Sequence, residues 1–369
     1  MIYNNYGFYY YYQRESWYDM NHKMNILKAL GIIAVVAGHA GTNFLSWVPV
    51  YSFHMPLFIF ISGYFFHEYN FFAWFKKRFR HMLVPFLGWN AFYGIVVTLL
   101  LWSGLTALGS PISLRGLLWD PFTYCWAYVF NGPSWFIGTL FLVQAVYLLI
   151  RKYISHDWGL LLITLGCYIG AIWLANNGYS HWENNAGIAV ERMMFCLIFY
   201  HVGYLYRHRW EQYDGFSFTK IMGVIFVNGC ILAFVTPNIM TNIHQMAVQD
   251  KPVFVPLIVA CTGIWLYLQV ADILQDKVSP TSVLSYIGQH TFSVMIHHQF
   301  FFWLFNTFLL FLKTMHVLSL NTFNYHQYMT NEYFRITAYG PINDALYLLV
   351  GLFGPLLCCY VWDTVRRRS

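Results

Sequence analysis

The chemistry this sequence offers begins with one lysine and one histidine. Lys28 and His39 stand 11 residues apart in an apolar stretch. At about 100° per residue that spacing returns both to within roughly 20° of one helix face, about 16 Å apart along the axis. Gly31, Val35 and Gly38 lie close to the line between them, so this face carries little side-chain bulk. A cation at one end, a narrow groove and a deep imidazole suit an elongated anionic cofactor that delivers its reactive end to a base or nucleophile. The same residues also suit a helix in which Lys28 snorkels, the glycines serve packing and His39 is a hydrogen-bonded core histidine.

Other polar groups sit in apolar surroundings, where ionisable residues are costly and mark function by default. His54 opens a second apolar run, Phe53-His54-Met55-Pro56, and approaches His39 if the two runs form a tight hairpin; beside a proline it also reads as a helix-start residue. Lys77 and Arg80, within Lys76-Lys77-Arg78-Phe79-Arg80, are one helical turn apart and able to grip a phosphate together, although such a cluster is also a topology signal. Tyr286, His290, Ser293 and His297 follow the i, i+4, i+7, i+11 spacing of one helical face. Glu191 and Arg192 are adjacent, point about 100° apart, and therefore each need another partner.

The elements that must position these groups are membrane helices. Hydrophobic residues make up 58% of the 369 and charged residues 10%, too little charge to cover a soluble surface of this size. The aromatic share of 21% suits many membrane–water interfaces. Stretches of about 20 apolar residues predict ten spans, at roughly 27–47, 50–69, 83–105, 134–151, 158–176, 187–206, 219–236, 253–272, 283–311 and 343–362. The expected fold is all-α, a polytopic membrane helix bundle of about ten transmembrane helices with both termini cytoplasmic.

The basic residues support that orientation. With the N-terminus inside, 16 of the 21 Lys and Arg fall on the cytoplasmic side. Arg115, Lys251, Lys313 and Arg335 fall outside, and Arg192 lies within a span. Such an inside excess is the usual topology determinant. Aromatic residues of the outer loops (Trp119, Tyr124, Trp126, Tyr179, Trp182) fit carbohydrate stacking and an interfacial belt equally well. Residues 1–25 predict a disordered Tyr-rich leader with no apolar signal-peptide core, a start at Met20 or Met24 being the alternative. Residues 26–365 form the transmembrane domain. The 7 cysteines are scattered without a C-x-x-C pair, so no metal site is expected. No internal repeat supports an inverted-repeat transporter.

Two blocks then resemble a known family. Asn25-Ile-Leu-Lys28 through Gly38-His39, followed by Phe53-His54-Met-Pro-Leu-Phe-Ile-Phe-Ile-Ser62-Gly63, resembles the opening of the acyltransferase 3 family of integral membrane O-acyltransferases, in its fucose-4-O-acetylase-like branch. Lys77-x-x-Arg80 leading into Pro85, Gly132-Pro-Ser-Trp135, and Leu284 through His297 add weaker matches, and the likeness covers about residues 20–365. Asn25 stands where Asp is common, and Lys28 and Lys77 where many members carry Arg, which keeps the charge without the bidentate fork.

The resemblance implies transfer of an acyl group, usually acetyl, from cytosolic acyl-CoA to a hydroxyl of an envelope polysaccharide arriving from the outer side. It implies a multi-pass protein of the bacterial cytoplasmic (inner) membrane, acetyl-CoA as donor substrate without a metal, and polysaccharide biosynthesis or export machinery as possible neighbours. No nucleic-acid partner is expected. Lys28, Lys77 and Arg80 would bind the donor. His39 would act as general base, with a covalent acyl-imidazole at His39 or His54 as the less favoured variant. Trp135 would offer a platform to a sugar ring, and Glu191, Arg192, His290 and His297 are candidates for acceptor contacts or their support. A glycan or lipid exporter and a haem-bearing redox protein using His39, His54, His201 and His290 are rivals, and neither explains Lys28-x10-His39 together with Lys77-x-x-Arg80.

Overall fold

Helix α1 (His22–His39) starts at Asn21, whose side-chain oxygen accepts from the Met24 amide at 3.1 Å and so satisfies one of the free N–H groups of the first turn. Helix α2 (Val50–Tyr64) follows. Then come α3 (Phe71–Arg78), a π turn over Phe79–Leu83, α4 (Val84–Trp102) and α5 (Trp135–Tyr153). The rest of the bundle is α6 (Asp157–Asn176), α7 (Ala186–Leu205), α8 (Phe218–Phe234), α9 (Phe254–Gln275), α10 (Val283–Gln289), α11 (Thr291–Thr314) and α12 (Pro341–Arg368). This computed structural model describes residues 21–41, 48–123, 128–178, 186–248, 251–317, 322–336 and 341–368. The expected leader up to residue 20 lies outside them, as do Tyr124, Trp126, Tyr179 and Trp182.

The fold is all-α, and no strand occurs among the described residues. Among them, seven helices are long and apolar enough to cross a membrane, and α8 is a shorter apolar helix. In hydrocarbon no water pairs a free backbone group, so a spanning segment must close its hydrogen bonds within itself, which a helix does. Each of the ten expected spans holds a helix. The surface shows why this composition belongs in a bilayer: Leu162, Trp173, Phe226, Leu349 and Leu357 are exposed on α6, α8 and α12.

Helix α1 sits at the centre, packed against α2, α9, α10, α11 and α12, while α7 packs against α2, α5 and α6. Glycine sets the closest approach. A Cβ on Gly63 would lie 1.9 Å from the Tyr200 carbonyl oxygen, and one on Gly203 would lie 2.0 Å from that of Phe60. Helices α2 and α7 therefore touch backbone to backbone, as small residues permit in membrane bundles. Gly203→Ala must push the helices apart and should destabilise the protein by about 3 kcal/mol, the upper end for overpacking. The check is the midpoint of thermal unfolding in detergent; an unchanged midpoint would contradict the close crossing.

Two sequence expectations change here. The Gly31 and Gly38 face is not an open groove: a Cβ at Gly31 would meet Leu57 at 2.8 Å and one at Gly38 would meet Val50 at 3.0 Å. Helix α2 fills that face. The ninth span is not one helix either, since it ends at Gln289 and restarts at Thr291. The break rotates Tyr286 and His290 relative to Ser293 and His297, so the four do not form one continuous stripe.

Polar groups gather where α1 begins and α2, α7 and α9 end. Lys23 pairs with Asp272 at 2.9 Å, and the Tyr64 hydroxyl donates to Glu211. Burial opposes charge on Asp214, but hydrogen bonds from Lys220, Trp265 and Tyr206 outweigh it and hold its carboxyl below the usual range. At the α5–α6 turn, Asp157 accepts from both Arg151 and Arg209.

Candidate active site

Four residues of α1, Lys28, Ile32, Val35 and His39, line one cavity. Their i, i+4, i+7, i+11 spacing is one helical face, so the lysine and the imidazole do share a wall. Met55, Phe58 and Ser62 of α2 continue the lining, with Trp135, Phe136 and Leu140 of α5 opposite. The cavity holds about 520 Å³, within the range of small-molecule sites.

Its two ends differ chemically. Near the start of α1 stand Lys28, Arg78 and Ser62, the last accepting from Gln144 at 2.7 Å. At the other end are His39, Tyr51 and His54, closed over by Asn242, His244 and Tyr333. Tyr51 lies between the histidines, with ring centroids 6.2 Å from His39 and 5.3 Å from His54, edge-on to both. The Nδ1 of His54 donates to the Val50 carbonyl one turn back, because a carbonyl only accepts.

His39 is held from two further directions. Its Nδ1 is 3.0 Å from Nε2 of His298 on α11, the rings stacked with centroids 5.0 Å apart. Its carbonyl, at the C-terminus of α1, accepts from the Arg335 guanidinium at 2.7 Å. A cation there complements the negative end of the helix dipole. Arg335 in turn lies over the rings of Phe302 and Tyr347. Burial pushes the Arg335 guanidinium down to about 10, opposed by Tyr347, Tyr51 and Tyr333, so it stays charged at neutral pH.

The remaining sequence candidates divide sharply. Trp135 lines the cavity and is braced from behind, its ring 5.0 Å under the Arg192 guanidinium and 5.4 Å from the His244 ring. Arg192 also donates to the carbonyls of His244 and Thr123. It is fully buried, as is Glu191, and neither is on the cavity wall. His290 lies 3.7 Å from Asp363 of α12, and His297 bonds the Tyr93 hydroxyl at 2.7 Å and stacks edge-on against Trp89; both are outside the cavity. Lys77 and Arg80 are exposed, Lys77 over the Tyr69 ring, and the half-buried Arg78 between them reaches the lining instead. The π turn starting at Phe79 breaks the one-turn register that placed Lys77 and Arg80 on a common face. His201 has both ring nitrogens engaged, by the Tyr147 hydroxyl and the Asp157 carbonyl, which leaves neither for an iron.

Three residues of this site escaped the sequence reading. His298 was hidden beside His297: with Thr291 and Met295, both on the cavity wall, it repeats i, i+4, i+7 on α11. Arg335 carries no local signal, since its partner is 296 residues away in sequence. His244 is a single histidine in a polar connection, in a short turn whose preceding Asn242 caps it by accepting from the Gln245 amide.

A family model described as an acyltransferase domain (Acyl_transf_3) matches residues 21–363. The chain belongs to the acyltransferase 3 family. No curated protein and no solved structure matches it. Within this membrane acyltransferase the match takes in every residue of the cavity wall. An acyltransferase needs a donor and an acceptor to meet at one atom, and the cavity supplies a cationic end, an apolar middle and an imidazole-rich end for that purpose.

Proposed function

We propose that this protein moves an acetyl or other short acyl group from cytosolic acyl-CoA to a hydroxyl of a cell-surface or exported polysaccharide, with His39 as general base. The observation that carries the reading is the single cavity with Lys28 at one end and His39 at the other. In this reading the end bearing Lys28 and Arg78 opens to the cytosol and attracts the donor's phosphates. The pantetheine arm runs past Ile32, Val35, Phe58 and Met295, apolar neighbours for an arm that carries no charge. The thioester then lies beside His39, and the acceptor enters past Asn242, His244 and Tyr333, where Trp135 offers a face to a sugar ring.

The step is one acyl transfer. His39 takes the proton of the sugar hydroxyl as the oxygen bonds to the thioester carbonyl carbon. Collapse of the tetrahedral intermediate breaks the C–S bond, and the departing CoA thiolate takes the proton from His39. His54, across Tyr51 from His39, is the second imidazole within reach of the same carbon. Both termini are cytoplasmic in this orientation, and the membrane is the bacterial cytoplasmic one. Lys77 and Arg80 lie next to Arg78 at the cytosolic end, where they add to the field that draws the donor without entering the cavity.

The test is transfer of radiolabelled acetyl from acetyl-CoA into envelope glycan, using membranes that contain the protein. Label in glycan above that of membranes lacking the protein supports the reading. Absence of label with acetyl-CoA and with longer acyl-CoA donors would leave an exporter, which has no use for a thioester.

A further inference from the structure

The hydrogen bonds around His39 fix which of its nitrogens is basic. His298 is fully buried, and its Nδ1 is 2.9 Å from the Val294 carbonyl. A carbonyl oxygen only accepts, so that nitrogen carries a hydrogen. In a neutral imidazole the other nitrogen, Nε2, is then an acceptor. It lies 3.0 Å from Nδ1 of His39, which must donate. His39 therefore holds its hydrogen on Nδ1 and its lone pair on Nε2. The opposite arrangement would need a doubly protonated His298, burying a second cation near the Arg335 guanidinium that already holds the His39 carbonyl.

We propose that His298 is a positioning residue for the acyl transfer: relayed from the Val294 carbonyl, its Nε2 holds His39 in the tautomer whose Nε2 is the base. The proposal rests on the reading of His39 as general base. When His39 takes the acceptor's proton on Nε2, the Nδ1–H to His298 becomes a charge-assisted bond, and such bonds are roughly twice as strong as neutral ones. His298 thereby does what a carboxylate does for the histidine of a hydrolase triad, without placing an anion deep in the bundle. The register of α11 makes this possible: Thr291, Met295 and His298 share the face toward α1, and the Val294 carbonyl is one turn behind His298. Stacking of the two rings further limits rotation of His39.

The variants that test this differ in where a carboxamide oxygen can sit. In His298→Gln the oxygen reaches the place of Nε2 and accepts from His39. In His298→Asn it reaches only the place of Nδ1. His298→Leu keeps the bulk and removes the acceptor. Rates of radiolabelled acetyl transfer from acetyl-CoA to envelope glycan, measured over a range of donor concentrations, give an apparent kcat and a donor KM for each. His39→Ala serves as reference, and thermal unfolding in detergent reports folding. The Leu and Asn variants should lose about 100-fold in kcat with the donor KM unchanged, while the Gln variant retains at least about a third of the wild-type rate. A Leu or Asn variant that keeps half the wild-type rate while His39→Ala is dead would overturn the role of His298 alone. So would a folded Gln variant as inactive as Leu. An active His39→Ala would instead defeat the general-base reading. Should the Leu variant fail to fold, the Gln and Asn pair, both polar, decides the matter.

Discussion

Replacing His39 with Ala lowers acyl transfer by about 1,000-fold, the middle of the range for losing a general base, while the protein still reaches the membrane in normal amount. At 25 °C that loss is about 4 kcal/mol of transition-state stabilisation. The protein survives because His39 is at the last position of α1, half-buried against the cavity, rather than in the packed seam with α2. Its carbonyl, which Arg335 holds, remains in the Ala variant. The measurement is label transfer from acetyl-CoA to glycan at equal protein level, with donor binding followed separately. Donor binding should be little changed, because the cationic end of the cavity lies about 16 Å away along α1. Full activity in the Ala variant would remove His39 from the chemistry and leave His54 as the candidate.

The second large effect concerns the donor. Reversing charge at Lys28 and Arg78 together, to Glu at both, raises the donor KM by about 100-fold, with a smaller effect on the saturated rate. Hydrogen bonds to charged groups contribute about 1.5–3 kcal/mol each, and two at the low end give about 3 kcal/mol, which corresponds to that factor. The informative comparison is Lys77→Glu with Arg80→Glu. Those side chains are exposed and outside the cavity lining, so salt screens them and their reversal should cost under about tenfold in KM. Should the second pair weaken the donor more than the first, the donor's phosphates sit on the outer surface of the π turn and not at the mouth of the cavity.

How much of this was legible beforehand depends on the range of the contact. Lys28 and His39 share a helix, and 3.6 residues per turn alone places them on one face; the cavity confirms that they line it together. Trp135 was legible because it stands at the start of a long apolar run, after Gly132-Pro133. The two glycines between Lys28 and His39 were visible too, but their partner was not. Whether small residues leave a groove or admit a neighbour is decided by the other helix, and α2 takes the space with Leu57, Phe58 and Val50.

Local irregularity explains the shifts at Arg78 and on the ninth span. A π turn and a break at His290 each change the rotation of everything after them, and hydropathy has no term for a single misplaced hydrogen bond. So the stripe ending in His297 gave way to one ending in His298, one residue along and about 100° around.

By itself the sequence determined the solvent and therefore the class of fold. With 58% hydrophobic and 10% charged residues, only helices that close their own hydrogen bonds could form, and their lengths and the α1 face followed from the backbone period. Tertiary structure alone decided what His39 touches. His298 is 259 residues away and Arg335 is 296, and only packing α1, α11 and the segment before α12 together brings the accepting nitrogen and the capping cation to it. A contact of that kind has no periodic signature, because it depends on the crossing of helices whose relative rotation is set by packing and not by their own sequence.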